Sequence, residues 1–212
     1  MLSVIDTAAG NIQSVVNSLR RIGANPEVVS DAESVMRADA LVLPGVGAFA
    51  PAIASLRERG IAHAIRQRVQ EDGCPLLGIC LGMQLLADHS DENGAHQGLG
   101  LVPGRVVPLA AVAGAGRVPN FGWYDTHPTK SGALFVDPEE IRSFYFAHSY
   151  HFVCDSADDV AATIEFGGGR VVAAIDSGNI FGVQFHPEKS QDAGLDVLHR
   201  FCSHAGALTP TN

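Results

Sequence analysis

A cysteine set between two glycines carries the most reactive chemistry this sequence offers. Leu76-Leu77-Gly78-Ile79-Cys80-Leu81-Gly82-Met83-Gln84-Leu85-Leu86 places Gly-x-Cys-x-Gly between two apolar runs. That is the pattern of a nucleophile elbow with Cys in the place of Ser. The leading run reads as a buried strand, and Leu81 to Leu86 as the start of a helix. Gly78 and Gly82 keep Cβ atoms out of a turn that has no room for them. The turn predicts a Cys80 sulfur at the carboxyl end of the strand, where the backbone N–H groups of the helix start favour a thiolate. Taken alone, Cys80 is equally well a small core hydrophobe, because most buried cysteines are inert.

A base is available at a second strand end. The apolar stretch Asn179 to Gln184 runs into His186-Pro187-Glu188. Residues two apart in an extended chain point the same way, so Glu188 can hold one ring nitrogen of His186 while the other takes the Cys80 proton. By itself His-Pro-Glu also describes a polar turn. The two strand ends explain each other better than either explains itself. Gly45-Val46-Gly47 ends a third strand with a loop free of bulk, which is a plain turn unless its N–H groups face an anion. With the N–H of Leu81 it supplies candidate donors for a tetrahedral oxyanion. A thiolate with such donors suits amide hydrolysis through a thioester. Gln84, one helical turn past Cys80, faces the same pocket and is a candidate for holding the substrate's polar groups.

The elements that must position these groups alternate. Leu2 to Ile5, Glu27 to Val29, Ala40 to Leu43 and the elbow strand read as strands. Between them run a helix from Asn11 capped by Gly23, a short turn over Asp31 to Met36, and helices over Ala52 to Arg57 and Ile61 to Val69, broken near Gly60. This βαβ order predicts an α/β fold: a mostly parallel twisted sheet with flanking helices, ligands lying beyond the carboxyl ends of the strands. Gly98 to about Tyr150 is rich in Gly and Pro and predicts short strands and turns. Asp159 to Glu165 and Arg170 to Ile175 predict a hairpin, giving a smaller antiparallel β region. A last helix spans Asp192 to about His204. One domain over residues 1–206 is expected, with 207–212 frayed.

Composition narrows the partners. Lys and Arg number 14 against 23 Asp and Glu, a net charge of −9, and no basic patch appears, so no nucleic-acid partner is expected. Cys74, Cys80, Cys154 and Cys202 form neither a CxxC pair nor a zinc-like cluster, so no metal or other cofactor is expected, and the reducing cytoplasm is the expected setting. No basic leader precedes Leu2, and the uncharged run from Ala40 to Leu56 is broken by Pro44, Gly45, Gly47 and Pro51, so no membrane association is expected.

Gly-Ile-Cys-Leu-Gly-Met-Gln with a distant His-Pro-Glu resembles the class I glutamine amidotransferases. Leu43-Pro44-Gly45-Val46-Gly47-Ala48-Phe49, Gly98-Leu99-Gly100-Leu101, His148-Ser149-Tyr150 and Phe185-His186-Pro187-Glu188-Lys189-Ser190-Gln191 resemble, within them, the glutaminase subunits of imidazole glycerol phosphate synthase. The resemblance implies the flavodoxin-like fold of that family and cleavage of L-glutamine to glutamate and ammonia, with Cys80 as nucleophile, His186 as general base and acid, and Glu188 as its orienter. It also implies that Glu92 receives the glutamine α-amino group, that Ser149 and Tyr150 hold the α-carboxylate, and that Gly47 lies beside the oxyanion hole. Asn11, Trp123, Tyr145 and Lys189 would face a partner, a (β/α)8-barrel cyclase subunit. That partner would take the ammonia to form imidazole glycerol phosphate and aminoimidazole carboxamide ribotide, as a heterodimer with weak glutaminase activity until the partner's ligand is bound. Without the resemblance, Glu92 is a solvated loop charge and Trp123, the only Trp, a core residue.

Two segments depart from the family pattern. Asp6-Thr7-Ala8-Ala9-Gly10-Asn11 stands where Asp-Tyr-Gly-x-Gly-Asn is usual, and Pro119-Asn120-Phe121-Gly122-Trp123-Tyr124 where Pro-His-Met-Gly-Trp-Asn is usual. Both are expected near the partner, and changed polar groups there change which partner is tolerated. A divergent copy that feeds ammonia to another synthase, such as one for an amidine-bearing sugar, is the alternative. A general cysteine hydrolase or thiol-redox protein is a third reading, and one that would not need Gln84, Glu92 or His-Pro-Glu.

Overall fold

The computed structural model describes residues 1–7, 12–112, 114 and 116–208. The first part of the chain alternates as its pattern predicts: β1 (Leu2–Ile5), α1 (Ile12–Arg21), β2 (Pro26–Val29), α2 (Ala32–Met36), β3 (Ala40–Gly45), α3 (Phe49–Glu58), α4 (Ile61–Gln70), β4 (Leu76–Cys80) and α5 (Leu81–Gln84). Strands β5 (His89–Ser90), β6 (His96–Gln97), β7 (Gly104–Pro108), β8 (Asn120–Pro128), β9 (Arg142–His148), β10 (Tyr150–Cys154), β11 (Val160–Phe166), β12 (Gly169–Ser177) and β13 (Ile180–Val183) follow, and α6 (Gln191–His204) closes the chain.

One nine-stranded sheet runs in the order β2-β1-β3-β4-β13-β12-β11-β8-β9. From β2 to β13 every pairing is parallel; from β13 to β9 every pairing is antiparallel. Successive strand residues enter opposite cores. Val4, Val42 and Leu77 pack with Val15, Leu19 and Phe201 beneath α1 and α6. Ile5, Leu41 and Leu76 pack with Ile53, Leu56 and Ile65 beneath α3 and α4. Each such fully buried side chain contributes about 2 kcal/mol of burial energy. A second, four-stranded sheet, β10-β7-β5-β6, lies after the elbow.

Two expectations are corrected. The stretch Gly98 to Tyr150 is not confined to short strands: β8 has 9 residues and β9 has 7, and both extend the main sheet. They read as short strands and turns because Pro119, Pro128 and Gly132 stand at and between the strands and Gly122 lies within β8. The elbow helix is one turn long and stops at Gln84. Its onward carbonyls are taken by the Gly-Leu-Gly-Leu segment: Leu99 N–H donates to Leu85 O at 2.8 Å, Gly100 N–H to Ala87 O at 3.0 Å and Leu101 N–H to Leu86 O at 2.9 Å. Of the tail expected to fray, 209–212 lie outside the described residues, and Ala207 and Leu208 make backbone contacts. Ala207 N–H donates to Cys202 O at 2.7 Å, and Leu208 bridges Ala24.

Candidate active site

The register of three parallel strands brings the three loops together. Gly45 lies opposite Cys80 on the β3–β4 ladder, and Val183 lies opposite Ile79 on the β13–β4 ladder. The chain then turns from β13 into His186. The elbow glycines are dictated by contact. A Cβ on Gly82 would sit 1.7 Å from Leu43 O, and one on Gly78 would sit 2.7 Å from Met83 N. Cys80 itself has φ 54° and ψ −110°, a conformation that favours glycine. A strained residue of this kind costs roughly 1–3 kcal/mol, here offset by the packing around it.

His186 Nδ1 and Glu188 Oε1 are 2.8 Å apart, with both side chains buried. Burial alone lowers the imidazole's pKa, but the hydrogen bonds and charges of Cys80 and Glu188 outweigh it and raise it to about 9. Burial raises Cys74, and pushes Cys154 and Cys202 up to about 12, so they stay protonated.

Cys80 and His186 open on a cavity of about 340 Å³, lined also by Gly47, Leu81, Gln84, Glu92, Ser149 and Tyr150. All six expected substrate-binding residues thus converge on it. Glu92 is anchored from the far side: its Oε2 accepts the N–H of Phe49 at 3.0 Å, at the start of α3. It is not a freely solvated loop charge. Gln84 donates from Nε2 to Tyr150 O at 3.0 Å and to Gln184 Oε1 at 2.9 Å. Its amide nitrogen is therefore spent on the protein, which leaves only its oxygen for a ligand. Among the described residues, no group of three or more His, Cys, Asp or Glu side chains is placed to hold a metal ion.

Trp123 and Tyr145 are cross-strand partners on β8 and β9, with ring centroids 6.1 Å apart. Lys189 Nζ lies 5.8 Å from the Tyr145 ring centre. Trp123 is 47% exposed and Phe121 is 64% exposed, so the single Trp is no core residue. Asn11 lies outside the described residues. Asn120, in the segment expected near a partner, is fully buried: it hydrogen-bonds His148 Nε2 at 3.0 Å, while His148 Nδ1 donates to Tyr150 O at 2.8 Å. Burial lowers the pKa of His148 to about 4. The residue not singled out from sequence is Gln184, fully buried, whose Nε2 lies 3.7 Å from Cys80 Sγ. Its signal was present: it ends an apolar strand two residues before His186.

The family profile described as "Glutamine amidotransferase class-I" matches residues 3–205. The chain is a class I glutamine amidotransferase. Among curated relatives of this amidotransferase, the imidazole glycerol phosphate synthase subunit HisH of Moorella thermoacetica is 45% identical over 208 residues, 97% of each chain. HisH of Geobacillus thermodenitrificans is 46% identical over 204 residues, covering 95% of this chain and 94% of that one. A crystal structure titled glutamine amidotransferase shares the fold with a TM-score of 0.76 at 24% identity, covering 96% of this chain and 98% of that one. No helix among the described residues is long and apolar enough to cross a membrane.

Proposed function

We propose that this amidotransferase hydrolyses L-glutamine and passes the ammonia to the cyclase subunit of imidazole glycerol phosphate synthase, in histidine biosynthesis in the cytoplasm. The two form a heterodimer. The observation that carries this reading is the buried His186–Glu188 pair, 2.8 Å apart, opening together with Cys80 on the 340 Å³ cavity. Relatives 41–46% identical that are named HisH support the pathway over an amidine-sugar synthase.

Cys80 Sγ, its proton passed to His186, attacks the side-chain amide carbon of glutamine. The C–O π bond opens to an oxyanion, which the Leu81 N–H and the Gly47 loop receive. As the carbonyl re-forms, the C–N bond breaks, and the imidazolium gives its proton to the departing nitrogen, releasing ammonia and a γ-glutamyl thioester. His186 then takes a proton from water, whose oxygen attacks the thioester, and returns it to the sulfur as glutamate leaves. Glu188 keeps the ring oriented throughout. Glu92 faces the substrate's ammonium, since a charge in a pocket needs a counter-charge, and the Ser149–Tyr150 segment takes its carboxylate. Phe121, Trp123, Tyr145 and Lys189 meet the cyclase, closing the site so that ammonia is not protonated by bulk water.

The test compares two nitrogen sources in the complex with the cyclase. Cys80→Ala lowers glutamine-dependent synthesis by about a thousandfold or more and leaves synthesis from added ammonia intact. Loss of both, or survival of both, overturns the reading.

A further inference from the structure

The elbow helix is expected to favour a thiolate, yet α5 is a single turn of 4 residues, too short to sum a large dipole. A sulfur that must ionise in a buried site needs another donor. Gln184 sits with its amide nitrogen 3.7 Å from Cys80 Sγ. We propose that Gln184 is the neutral hydrogen-bond donor that holds the Cys80 thiolate, and that Gln84 and the Tyr150 carbonyl decide which end of its amide faces the sulfur. The inference deepens the glutaminase reading and rests on its choice of Cys80 as nucleophile.

The orientation follows from what each atom can do. A backbone carbonyl only accepts, so the end of Gln84 that is 3.0 Å from Tyr150 O must be its NH2. That same NH2 lies 2.9 Å from Gln184, so the facing atom of Gln184 must be its oxygen. The nitrogen of Gln184 is then left to point at the sulfur. Turning Gln84 over would set oxygen against oxygen at Tyr150. Turning Gln184 over would set nitrogen against nitrogen at Gln84 and an acceptor against the thiolate. Tyr150 O also takes the Nδ1 proton of His148 at 2.8 Å, so both of its lone pairs are used and it has no freedom to swing away. An amide donor bonds an anion roughly twice as strongly as a neutral acceptor. It therefore favours thiolate over thiol without adding a charge. Gln184 touches the reacting sulfur; Gln84 is a positioning residue that acts through it.

Other groups face the same sulfur or line its cavity: His186 with Glu188 behind it, His148 from β9, Lys189 after β13, and Glu92 from the β5–β6 loop. All are retained when only position 184 is changed, so a shift in Cys80 ionisation belongs to Gln184.

The test is the pH dependence of iodoacetamide alkylation of the full-length chain, read peptide by peptide by mass spectrometry. In Gln184→Met the labelling midpoint of Cys80 rises by about one pH unit, which is about tenfold slower labelling below the midpoint. In Gln184→Glu, which keeps the shape but sets a carboxylate beside the sulfur, it rises further. In the complex, Gln184→Met lowers kcat for glutamine and leaves KM near its original value. An unmoved midpoint in either variant, or a rise in KM alone, overturns the proposal. Labelling of the buried Cys202 peptide marks a variant that has lost its fold, and the isosteric Gln184→Glu then carries the test. If glutamine protects wild-type Cys80 from labelling while both variants leave the midpoint unchanged, only this proposal fails. If glutamine gives no protection, the reading of the site fails with it.

Discussion

His148 and His186 line one cavity, and their environments drive them in opposite directions. They are 6% and 4% exposed, so depth does not distinguish them. Burial pulls both toward the neutral form. His148 meets a neutral amide and a backbone carbonyl; burial outweighs the carbonyl's upward pull, and its pKa falls to about 4. His186 meets the Glu188 carboxylate and the Cys80 sulfur, which offset the same burial, and its pKa rises to about 9. The partner's charge, not the depth, decides whether a buried imidazole is a strut or a base. The neutral one holds the Tyr150 segment in place; the other moves protons.

Removing the carboxylate gives the largest break in that contrast. Glu188→Gln keeps a hydrogen-bonding group but lets His186 drift toward the neutral state of His148, and glutamine turnover in the complex falls by on the order of a hundredfold or more. The ring signals of the two histidines in NMR, followed against pH, should move closer together; unchanged turnover would mean that Glu188 does not orient the base.

A smaller effect appears in stability against pH. The folded state keeps the His186 proton that the unfolded chain sheds between 6.5 and about 9, so that contribution is whole below 6.5 and is lost as pH rises through 9. His148 does the reverse. The unfolded chain binds a proton between 6.5 and about 4 that the folded one refuses, so its contribution is whole above 6.5 and is lost as pH falls toward 4. Urea midpoints should therefore decline on both sides of pH 6.5, and Cys80→Ala should flatten the alkaline side alone. The smallest effect is that of Asn120→Ala. It removes the donor to buried His148 Nε2 and should cost about 1–2 kcal/mol by chemical denaturation, with Cys80 labelling unchanged.

Most of the site was legible because its groups stand at strand ends with strict spacing. Gly78 and Gly82 announced a turn that contact distances of 2.7 and 1.7 Å make obligatory, and His186 and Glu188 announced a pair two residues apart. The role of Asn120 was not read. A residue's side of a strand depends on its register, and Asn120 pairs with His148 on β9, a partner that nothing local reveals. Gln184 was missed for a similar reason: its value comes from Gln84, a hundred positions away in the chain. The length of β8 and β9 was obscured because local Gly and Pro content says little about pairing between distant segments.

The parallel ladder through β3, β4 and β13 also sets how this protein can fail. It holds the oxyanion loop, the sulfur and the base as neighbours on one grid, whose step is about 3.3 Å along each strand. A strand can keep its register or slip by at least one whole step, and a slip also turns its inward side chains outward. No half-aligned arrangement lies between. Damage by heat or ageing therefore retires molecules one at a time, and a half-spent preparation is half dead, not uniformly sluggish.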